Sequence, residues 1–236
     1  MKTGTLYLIP TPLGETDLDW ILPRGVQQVA GRLAHFIVEH PKTARAFLKQ
    51  VGTATPLQAL HFEVLDEHTP REQLPTLLAP LRAGHDVGLM SEAGCPAVAD
   101  PGAALVRLAH EEGIPVVPLV GPSSLMLALM ASGLDGQRFS FHGYLPVQAA
   151  ERKKALLELE AISRRRRETQ MFIETPYRNT PLMHAILETC RDDTLLCVAM
   201  ALTTPQQRIV TRTVATWKET APELEKLPAV FCLQAR

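Results

Sequence analysis

The sequence carries little net charge and few aromatic residues. Its 24 Lys and Arg residues nearly balance its 25 Asp and Glu residues, and aromatic residues make up 5% of the 236 positions. A globally basic nucleic-acid-binding protein is therefore excluded, and stacking platforms for single-stranded nucleic acid are scarce. The charge is unevenly distributed, with a net charge of −4 up to Pro146 and +3 after it. We therefore expect any anionic partner to meet the second half of the chain.

Cysteine pairs, metal motifs and long apolar runs are also missing. The four cysteines (Cys95, Cys190, Cys197 and Cys232) include no Cys-x-x-Cys pair, and the eight histidines show no ligand spacing. We therefore assign no metal site. Residues 6–9 are too short an apolar run for a signal peptide, and no stretch approaches the roughly 20 apolar residues of a membrane span. These absences predict a soluble cytoplasmic protein with reduced thiols and no membrane partner.

Strand-like and helix-like segments alternate in the first half. Apolar strand-like runs cover residues 5–9, 35–38, 87–90 and 116–120, and helical segments lie between them, for example at residues 42–51 and 71–82. The continuous apolar run at residues 36–38 is typical of a strand that is covered on both faces. Gly84 and Gly113 each end a helix ahead of a strand. This alternation predicts an α/β domain with a mostly parallel sheet.

The second half follows a different pattern. Gly143 and Pro146 interrupt residues 141–146, where we place the boundary between an N-terminal domain of residues 1–142 and a C-terminal domain of residues 147–236. A helix is predicted at residues 150–167, and strands are predicted at residues 170–173, 195–200, 209–214 and 230–233. Threonines flank a period-two alternation in the third of these strands, which suits antiparallel pairing. The C-terminal domain is therefore predicted to be α+β with a mixed sheet.

Two Gly/Pro turns follow apolar strands of the first half and mark a candidate ligand site. One reads Ser-Glu-Ala-Gly-Cys-Pro (residues 91–96) and the other reads Gly-Pro-Ser-Ser (residues 121–124). Because ligands of open parallel sheets bind outside the carboxyl ends of strands, we expect both turns at one rim of a small-molecule site. Each turn also has a purely structural interpretation, as a strand-to-helix turn or a helix cap. The first strand is not followed by Gly-x-Gly-x-x-Gly, which argues against NAD or FAD.

Five segments, in order along the chain, resemble the tetrapyrrole methylase superfamily. They are Leu-Tyr-Leu-Ile-Pro-Thr-Pro-Leu-Gly (6–14), Ser-Glu-Ala-Gly-Cys-Pro-Ala-Val-Ala-Asp-Pro-Gly (91–102), Gly-Pro-Ser-Ser (121–124), His-Gly-Tyr-Leu-Pro (142–146) and Glu-Thr-Pro-Tyr-Arg (174–178). The branch they are most similar to contains the ribose 2′-O-methyltransferase of small-subunit ribosomal RNA. The resemblance is nearly full length, and it is more specific for the superfamily than for the substrate.

The resemblance implies a homodimeric methyltransferase that uses S-adenosylmethionine, with a cofactor cleft between its two domains. The residues that it implies for cofactor binding follow strands of both domains: Pro10, Ser91, Ala93, Gly94, Cys95, Pro96, Gly121, Pro122, Ser123, Ser124, Thr175, Tyr177, Ala199 and Met200. A weakly acidic acceptor such as a ribose hydroxyl additionally needs a base. Glu92 and Glu174 are the carboxylates that we expect in that catalytic role. Tyr177 stands where the ribosomal branch has His.

Three hypotheses for the function stay open. The first acceptor is ribosomal RNA, from the motif branch and the basic second half, and the second is a small molecule, tetrapyrrole-like or other. The third hypothesis is a non-catalytic ligand-binding scaffold with the same fold. Residues 204–207 lack the Lys and Glu of the ribosomal branch, and the sequence ends at Arg236 without that branch's C-terminal extension. Both departures count against RNA and leave the methylase assignment intact.

A run of four arginines has two interpretations of its own. Arg164, Arg165, Arg166 and Arg167 lie where the predicted helix of the second half ends. Cations there favour the helix dipole, so the run suits a solvated helix end. It also suits a patch that contacts RNA phosphates.

Overall fold

Backbone contacts divide the chain into two units, Met1–Ser123 and Ser124–Arg236. The computed structural model describes residues 2–220 and 224–236. The division falls earlier than the boundary that we placed at residues 141–146, because the helix that begins at Ser124 packs on the sheet of the second unit. The predicted domain ranges also include residues 1 and 221–223, which lie outside the described residues.

Within residues 2–123, the first unit contains five strands and six α-helices. The strands are β1 (Leu6–Leu8), β2 (His35–Val38), β3 (His61–Val64), β4 (Val87–Met90) and β5 (Val116–Pro118). The helices are α1 (Leu18–Ile21), α2 (Arg24–Arg32), α3 (Pro41–Val51), α4 (Leu74–Leu77), α5 (Ala79–Arg82) and α6 (Ala103–Glu111). The sheet order is β3-β2-β4-β1-β5, and every pairing is parallel. The mostly parallel α/β prediction is therefore confirmed, although the exposed edge strand β3 has no apolar run and was not predicted.

Apolar side chains cover both faces of this sheet. Along β2, Phe36 and Val38 belong to one buried cluster, together with Phe47 of α3. Ile37, which lies between them in sequence, belongs to a second cluster with Leu105 of α6. Successive residues of a strand point to opposite faces, so a continuous apolar run is what a sheet covered on both sides requires.

The segment that we predicted as one helix at residues 71–82 is broken at its prolines. A 3-10 turn, Arg71–Gln73, leads into α4, and α5 follows it. Pro75 and Pro80 each lie in the first turn of one of these short helices. Because proline lacks the N–H that a helix interior needs but fits the first turn, each proline starts a new helix.

The described part of the second unit, residues 124–220 and 224–236, contains a mixed sheet and four α-helices. Its strands are β6 (Phe139–Tyr144), β7 (Thr169–Glu174), β8 (Leu195–Met200), β9 (Arg208–Thr213) and β10 (Ala229–Gln234). Its helices are α7 (Ser124–Ser132), α8 (Ala149–Arg166), α9 (Asn179–Thr189) and α10 (Val214–Thr220). The sheet order is β6-β7-β10-β8-β9; only the β6–β7 pair is parallel among the described pairs. The predicted mixed sheet is confirmed, and no helix of the described residues is both long and apolar enough to cross a membrane.

Residues 141–146, which we predicted as the break between domains, belong largely to the edge strand β6. Gly143 has a φ of 64°, and the register of β6 against β7 shifts between Phe141 and Tyr144. Glycine adopts this left-handed conformation without the clash of a Cβ atom. The chain therefore forms an irregularity within the sheet here instead of leaving it.

The second unit has its own apolar core. Phe172 and Phe231 stack on neighbouring strands with their ring centroids 5.7 Å apart. Trp217 of α10 packs against the same cluster, and its Nε1 donates to the Leu196 carbonyl at 2.9 Å. Trp217 is 4% exposed, whereas Trp20 of the first unit is 80% exposed. Burial of Trp217 thus includes a hydrogen bond for its only polar atom, as buried indoles require.

Ser163 of α8 joins three elements of the second unit. Its buried hydroxyl donates to the Glu168 carbonyl at 2.7 Å and accepts the Ala235 N–H at 2.9 Å. The last part of α8, the residue before β7 and the residue after β10 are thereby held at one point.

We predict that Ser163→Ala lowers the free energy of unfolding by about 1–3 kcal/mol, because the Ala235 N–H is then buried without an acceptor. Urea unfolding followed by circular dichroism measures the change. Ala161→Ser, at an exposed position of the same helix, is the control, with an expected change within about 0.5 kcal/mol. An unchanged midpoint and slope for Ser163→Ala would contradict this role.

Candidate active site

The loops that follow β1, β4 and β5 are joined at the carboxyl end of the first sheet. Thr11 and Gly94 exchange both backbone hydrogen bonds, with N···O distances of 2.9 and 3.1 Å. The Thr11 hydroxyl also donates to the Ser91 carbonyl at 3.2 Å, and the Cys95 thiol donates to the Pro122 carbonyl at 3.5 Å. Because β4 and β5 flank β1 in the sheet, the two turns that we expected at one rim do lie side by side.

Two glycines allow this close approach. Gly94 has a φ of 79°, and a Cβ atom added there would lie 3.2 Å from Leu13 and 3.7 Å from the Pro122 carbonyl oxygen. A Cβ atom added at Gly121 would overlap the ring of Pro10. Only glycine fits both positions without displacing a neighbouring loop.

A cavity of about 380 Å³ opens beside these loops. Its walls are residues 11–16, one side of α3 including Thr43 and Phe47, and the start of the turn after β4 at Ser91, Glu92 and Ala93. The volume lies within the range of about 300–1,000 Å³ that is usual for small-molecule sites. The lining combines hydroxyl groups and the carboxylates of Glu15 and Glu92 with apolar surface, so it suits a ligand with both polar and apolar parts.

Three carboxylates surround the turn after β4. Glu92 is exposed, and one of its oxygens accepts the Thr43 hydroxyl at 3.3 Å. The Glu92 N–H donates to Glu39, which directly follows β2, at 3.3 Å. Burial raises the pKa of Glu39, and repulsion by Asp100 and Glu92 raises it further. The hydrogen bond from the Glu92 amide partly opposes this increase. Burial likewise raises the pKa of Asp100, to which the Ser91 hydroxyl is hydrogen-bonded.

Glu174, the second predicted base, is buried and paired. Its side chain is 1% exposed, and its Oε1 accepts Nε and Nη2 of Arg178 at 2.9 and 2.6 Å. The same oxygen accepts the Thr175 N–H at 2.7 Å. These bonds fix the turn that follows β7, so Glu174 holds backbone and a guanidinium in place. The base role that we predicted for Glu174 has no support from this geometry.

The predicted cofactor-binding residues of the second unit gather at one end of its sheet. Glu174, Ala229 and Met200 are aligned across the neighbouring strands β7, β10 and β8. Thr175 and Tyr177, which follow β7, therefore lie at the same end of the sheet as the end of β8.

The predicted cofactor-binding residues of the second unit differ in the exposure of their side chains. The side chains of Ala199 and Met200 are buried, so only their backbone is available to a ligand. Tyr177 is 78% exposed, and the Lys226 ammonium lies 5.6 Å from its ring centroid. Ser124 is half-buried at the first position of α7.

The other predicted cofactor-binding residues lie on the three rim loops of the first unit: Pro10, Ser91, Ala93, Gly94, Cys95, Pro96, Gly121, Pro122 and Ser123. Their assignment to a cofactor stays a prediction. Among the described residues, no group of three His, Cys, Asp or Glu side chains is arranged to hold a metal ion.

Comparison with known proteins identifies the family. A family model of the tetrapyrrole (corrin/porphyrin) methylases matches residues 5–217. The chain belongs to the tetrapyrrole methylase family. This confirms the resemblance that we found in the five segments.

Two curated relatives of this chain are proteins named ribosomal RNA small subunit methyltransferase I. The one from Pseudomonas aeruginosa is 39% identical over 178 residues, which cover 75% of this chain and 59% of the relative. The one from Escherichia coli O157:H7 is 34% identical over 200 residues, which cover 85% of this chain and 66% of the relative. The chain thus spans less than two thirds of the length of these relatives.

Solved structures share the fold of this chain at low sequence identity. The methyltransferase CobJ aligns with a TM-score of 0.62 and 19% identity, covering 99% of this chain and 95% of CobJ. Uroporphyrin-III C-methyltransferase from Thermus thermophilus, complexed with S-adenosylhomocysteine, aligns with a TM-score of 0.56 and 19% identity, covering 98% of this chain and 97% of the other. These likenesses confirm the predicted fold class.

Two carboxylates of the candidate site, Glu39 and Asp100, were not predicted from the sequence. Glu39 directly follows the apolar run at residues 36–38, so the rule that ligands bind at the carboxyl ends of strands already pointed to it. Asp100 lies within the segment 91–102 that carries the family resemblance. Their closeness to Glu92 depends on the sheet order and could not be predicted from spacing alone.

We predict that Glu39→Gln raises the melting temperature near neutral pH by roughly 1–3 °C. The variant keeps an oxygen for the Glu92 N–H but removes a carboxylate whose pKa is raised above its usual 4.5. The charged form of Glu39 is disfavoured in the folded state, so the ionised carboxylate destabilises the protein at pH values above its raised pKa. This destabilisation disappears as the pH falls through that pKa, because the carboxyl group is then protonated. The difference from the unmodified protein should therefore vanish near pH 4, as measured by differential scanning calorimetry.

The control for this comparison is Glu72→Gln, which removes an exposed carboxylate of the same unit. Its melting temperature should follow the unmodified protein across the pH range. If Glu39→Gln melts lower than the unmodified protein near pH 7, the Glu39 carboxylate stabilises the loop instead.

Proposed function

We propose that this methylase transfers the methyl group of S-adenosylmethionine to a ribose hydroxyl of small-subunit ribosomal RNA. The observation that carries the proposal is the exposed Glu92 carboxylate on the wall of a cavity beside the rim loops. The relatives' names support ribosomal RNA as the acceptor, and S-adenosylmethionine is the methyl donor of the family.

The rim loops suit S-adenosylmethionine. Gly94 and Gly121 let the rim loops approach one another closely, because a side chain at either position would crowd a neighbouring loop. We propose that these glycines, with Cys95, Pro96 and Pro122, hold the cofactor, which supplies an electrophilic methyl group on a sulfonium. No protein nucleophile is then needed. Burial raises the pKa of the Cys95 thiol, which keeps it protonated and unreactive.

The remaining chemistry falls to Glu92 and its neighbours. Glu92 takes the proton of the acceptor hydroxyl, and a positioned base of this kind contributes about 10²–10⁴-fold to the rate. The Thr43 hydroxyl orients the carboxylate, and Glu39 fixes the backbone by accepting the Glu92 N–H. Alignment of the acceptor in the cavity supplies the rest of the acceleration.

A small molecule is the second candidate acceptor, and one observation favours it. The first unit, which carries the cavity, has 9 basic and 13 acidic residues, so its charge disfavours the close approach of a polyanion. Tritium transfer from labelled cofactor distinguishes the two candidate acceptors. Transfer to small ribosomal subunits, taken from cells that lack the methylase, is compared with transfer to a porphyrinogen. Binding of cofactor without transfer to either would favour the scaffold hypothesis.

We further propose that the methylase is a cytoplasmic homodimer. The family resemblance supports the dimer, and an acceptor in the ribosome supports the compartment. The four free thiols agree with a reducing environment. Sedimentation velocity distinguishes a dimer from a monomer of 26.0 kDa.

We predict that the methylase binds S-adenosylmethionine or S-adenosylhomocysteine, and that Gly94→Val and Pro122→Leu weaken this binding by more than about 10-fold. A side chain at Gly94 would occupy space between the rim loops in a strained left-handed conformation. Isothermal titration calorimetry measures the affinity, and thermal melts verify that each variant is folded.

Gly136→Val is the matched control, because a Cβ atom added at Gly136 meets nothing within 4 Å. Its affinity for cofactor should equal that of the unmodified protein. Normal binding by a folded Gly94→Val variant would mean that the turn is structural and that the cofactor lies elsewhere.

We predict that Glu92→Gln lowers kcat by about 10²–10⁴-fold and leaves the dissociation constant of the cofactor unchanged, because only the proton acceptor is lost. Glu174→Gln should lower kcat less, since the carboxylate of Glu174 is occupied by Arg178. Single-turnover tritium transfer to small ribosomal subunits measures both. A larger kcat loss for Glu174→Gln, in a variant that melts normally, would reverse the assignment of the base.

A further inference from the structure

Six arginines gather at one end of the sheet of the second unit. Arg138 precedes β6, residues 164–167 close α8 just before β7, and Arg236 follows β10. Because β6 and β7 begin at this end and the antiparallel β10 finishes there, the topology brings three separate segments together. The arginine surface, as we name it, consists of Arg138, Arg164, Arg165, Arg166, Arg167 and Arg236.

Two hydrogen bonds join these segments directly. Nη1 of Arg138 donates to the Arg166 carbonyl at 3.4 Å, and Nε of Arg164 donates to the Arg236 carbonyl at 2.9 Å. The Ser163 hydroxyl also ties the end of α8 to the residue before β7 and to the residue after β10. The arginine surface therefore rests on a rigid part of the unit.

The positive charge of this surface is largely uncompensated. Every member except the half-buried Arg164 is exposed. Arg165 and Arg167 have no side-chain partner within residues 2–220 and 224–236, and Nη2 of Arg164 is buried there without a hydrogen-bond acceptor. Arg166 has one acidic partner, since its Nη1 lies 4.0 Å from the buried Glu168 carboxylate, which also accepts the Ser140 hydroxyl. Asp135 instead accepts the backbone N–H groups of residues 137 and 138.

A helix terminus explains only part of this arrangement. Cations in the last turn of α8 complement the helix dipole. That effect does not account for Arg138 or Arg236, which come from other segments. All six residues are arginines, and the guanidinium fork matches phosphate oxygens better than an ammonium does.

An exposed aromatic residue distinguishes nucleic acid from an acidic protein segment. Phe139, the first residue of β6, is 40% exposed at this end of the sheet. Arginines that follow a phosphate backbone, combined with an aromatic ring on which a base stacks, are typical of single-stranded nucleic-acid sites. An acidic peptide would match the charge but would have no use for the ring.

We infer that the arginine surface and Phe139 bind the backbone and one base of a single-stranded segment of the acceptor RNA. This inference rests on the proposed function, whose acceptor is RNA. The six residues of β7 separate the surface from Thr175 and Tyr177 by about 20 Å, at roughly 3.3 Å per residue. The surface is therefore separate from the predicted cofactor-binding residues at the other end of the same sheet.

The test measures the affinity for a fluorescein-labelled, single-stranded RNA oligonucleotide by anisotropy over a series of salt concentrations. Arg165→Gln/Arg167→Gln removes two unpaired charges, and Lys153→Gln/Lys154→Gln removes two exposed charges near the start of the same helix. We expect the arginine variant to lower the slope of log K against log salt by up to about 1.4, or about 0.7 per lost phosphate contact. The lysine variant should leave the slope unchanged. Equal effects of the two variants would mean that only net charge matters and would overturn the inference.

Phe139→Leu provides a second, independent arm. It should weaken RNA binding by about 5-fold or more and leave the salt slope unchanged, because stacking releases no counterions. Poly-glutamate serves as the competing polyanion. The inference is wrong if poly-glutamate binds as tightly as the RNA and if the arginine variant loses affinity for both equally. The surface would then bind acidic protein segments.

Titration of the same samples with S-adenosylmethionine separates this inference from the proposed function. Cofactor binding should be unchanged in all three variants. If the unmodified protein binds cofactor and RNA but the arginine variant keeps its salt slope, the inference fails and the function stands. If the unmodified protein binds cofactor but no RNA, the RNA acceptor fails, and the arginine surface fails with it.

Discussion

The hydrogen-bonded position of β1 between β4 and β5 is the constraint on which the candidate site depends. Parallel strands end at the same edge of a sheet, so the three loops that follow these strands have to share one small space. Thr11 and Gly94 then pair through their backbones, and Gly121 packs against Pro10. The Gly/Pro composition of these loops follows from the crowding, because larger side chains at the glycines would separate the loops.

The same edge also determines how the carboxylates differ from one another. Glu39 and Asp100 are partly buried, and burial disfavours their charged forms. Glu92 interacts with both of them but is exposed on the cavity wall. Glu39 and Asp100 therefore support the site from partly buried positions, whereas Glu92 is accessible to a ligand. In the second unit, the buried carboxylate of Glu174 is paired with a cation, and its ion pair with Arg178 fixes the turn after β7.

Prediction from sequence succeeded where burial is uniform along an element and failed where it is not. The strands at residues 35–38, 87–90 and 195–200 have the predicted bounds, because each is a continuous apolar run covered on both faces. The edge strands β3 and β6 present mixed exposure to solvent, so their sequences carry no such signal. The rim turns were found through Gly, Pro and the family resemblance. By contrast, Arg138 and Arg236 join the predicted arginine run only through the strand order, which no local pattern encodes.

The two tryptophans give each unit a different optical environment. Trp217 lies in the core of the second unit with its indole N–H bonded to a carbonyl, whereas Trp20 is almost fully hydrated. A chain with two cores does not have to unfold in one step. Because the emission of a hydrated indole changes little in wavelength when its surroundings unfold, a red shift of the fluorescence reports the melting of the second unit alone. Circular dichroism reports both units, so the separation between the two transition curves measures how independently the units unfold.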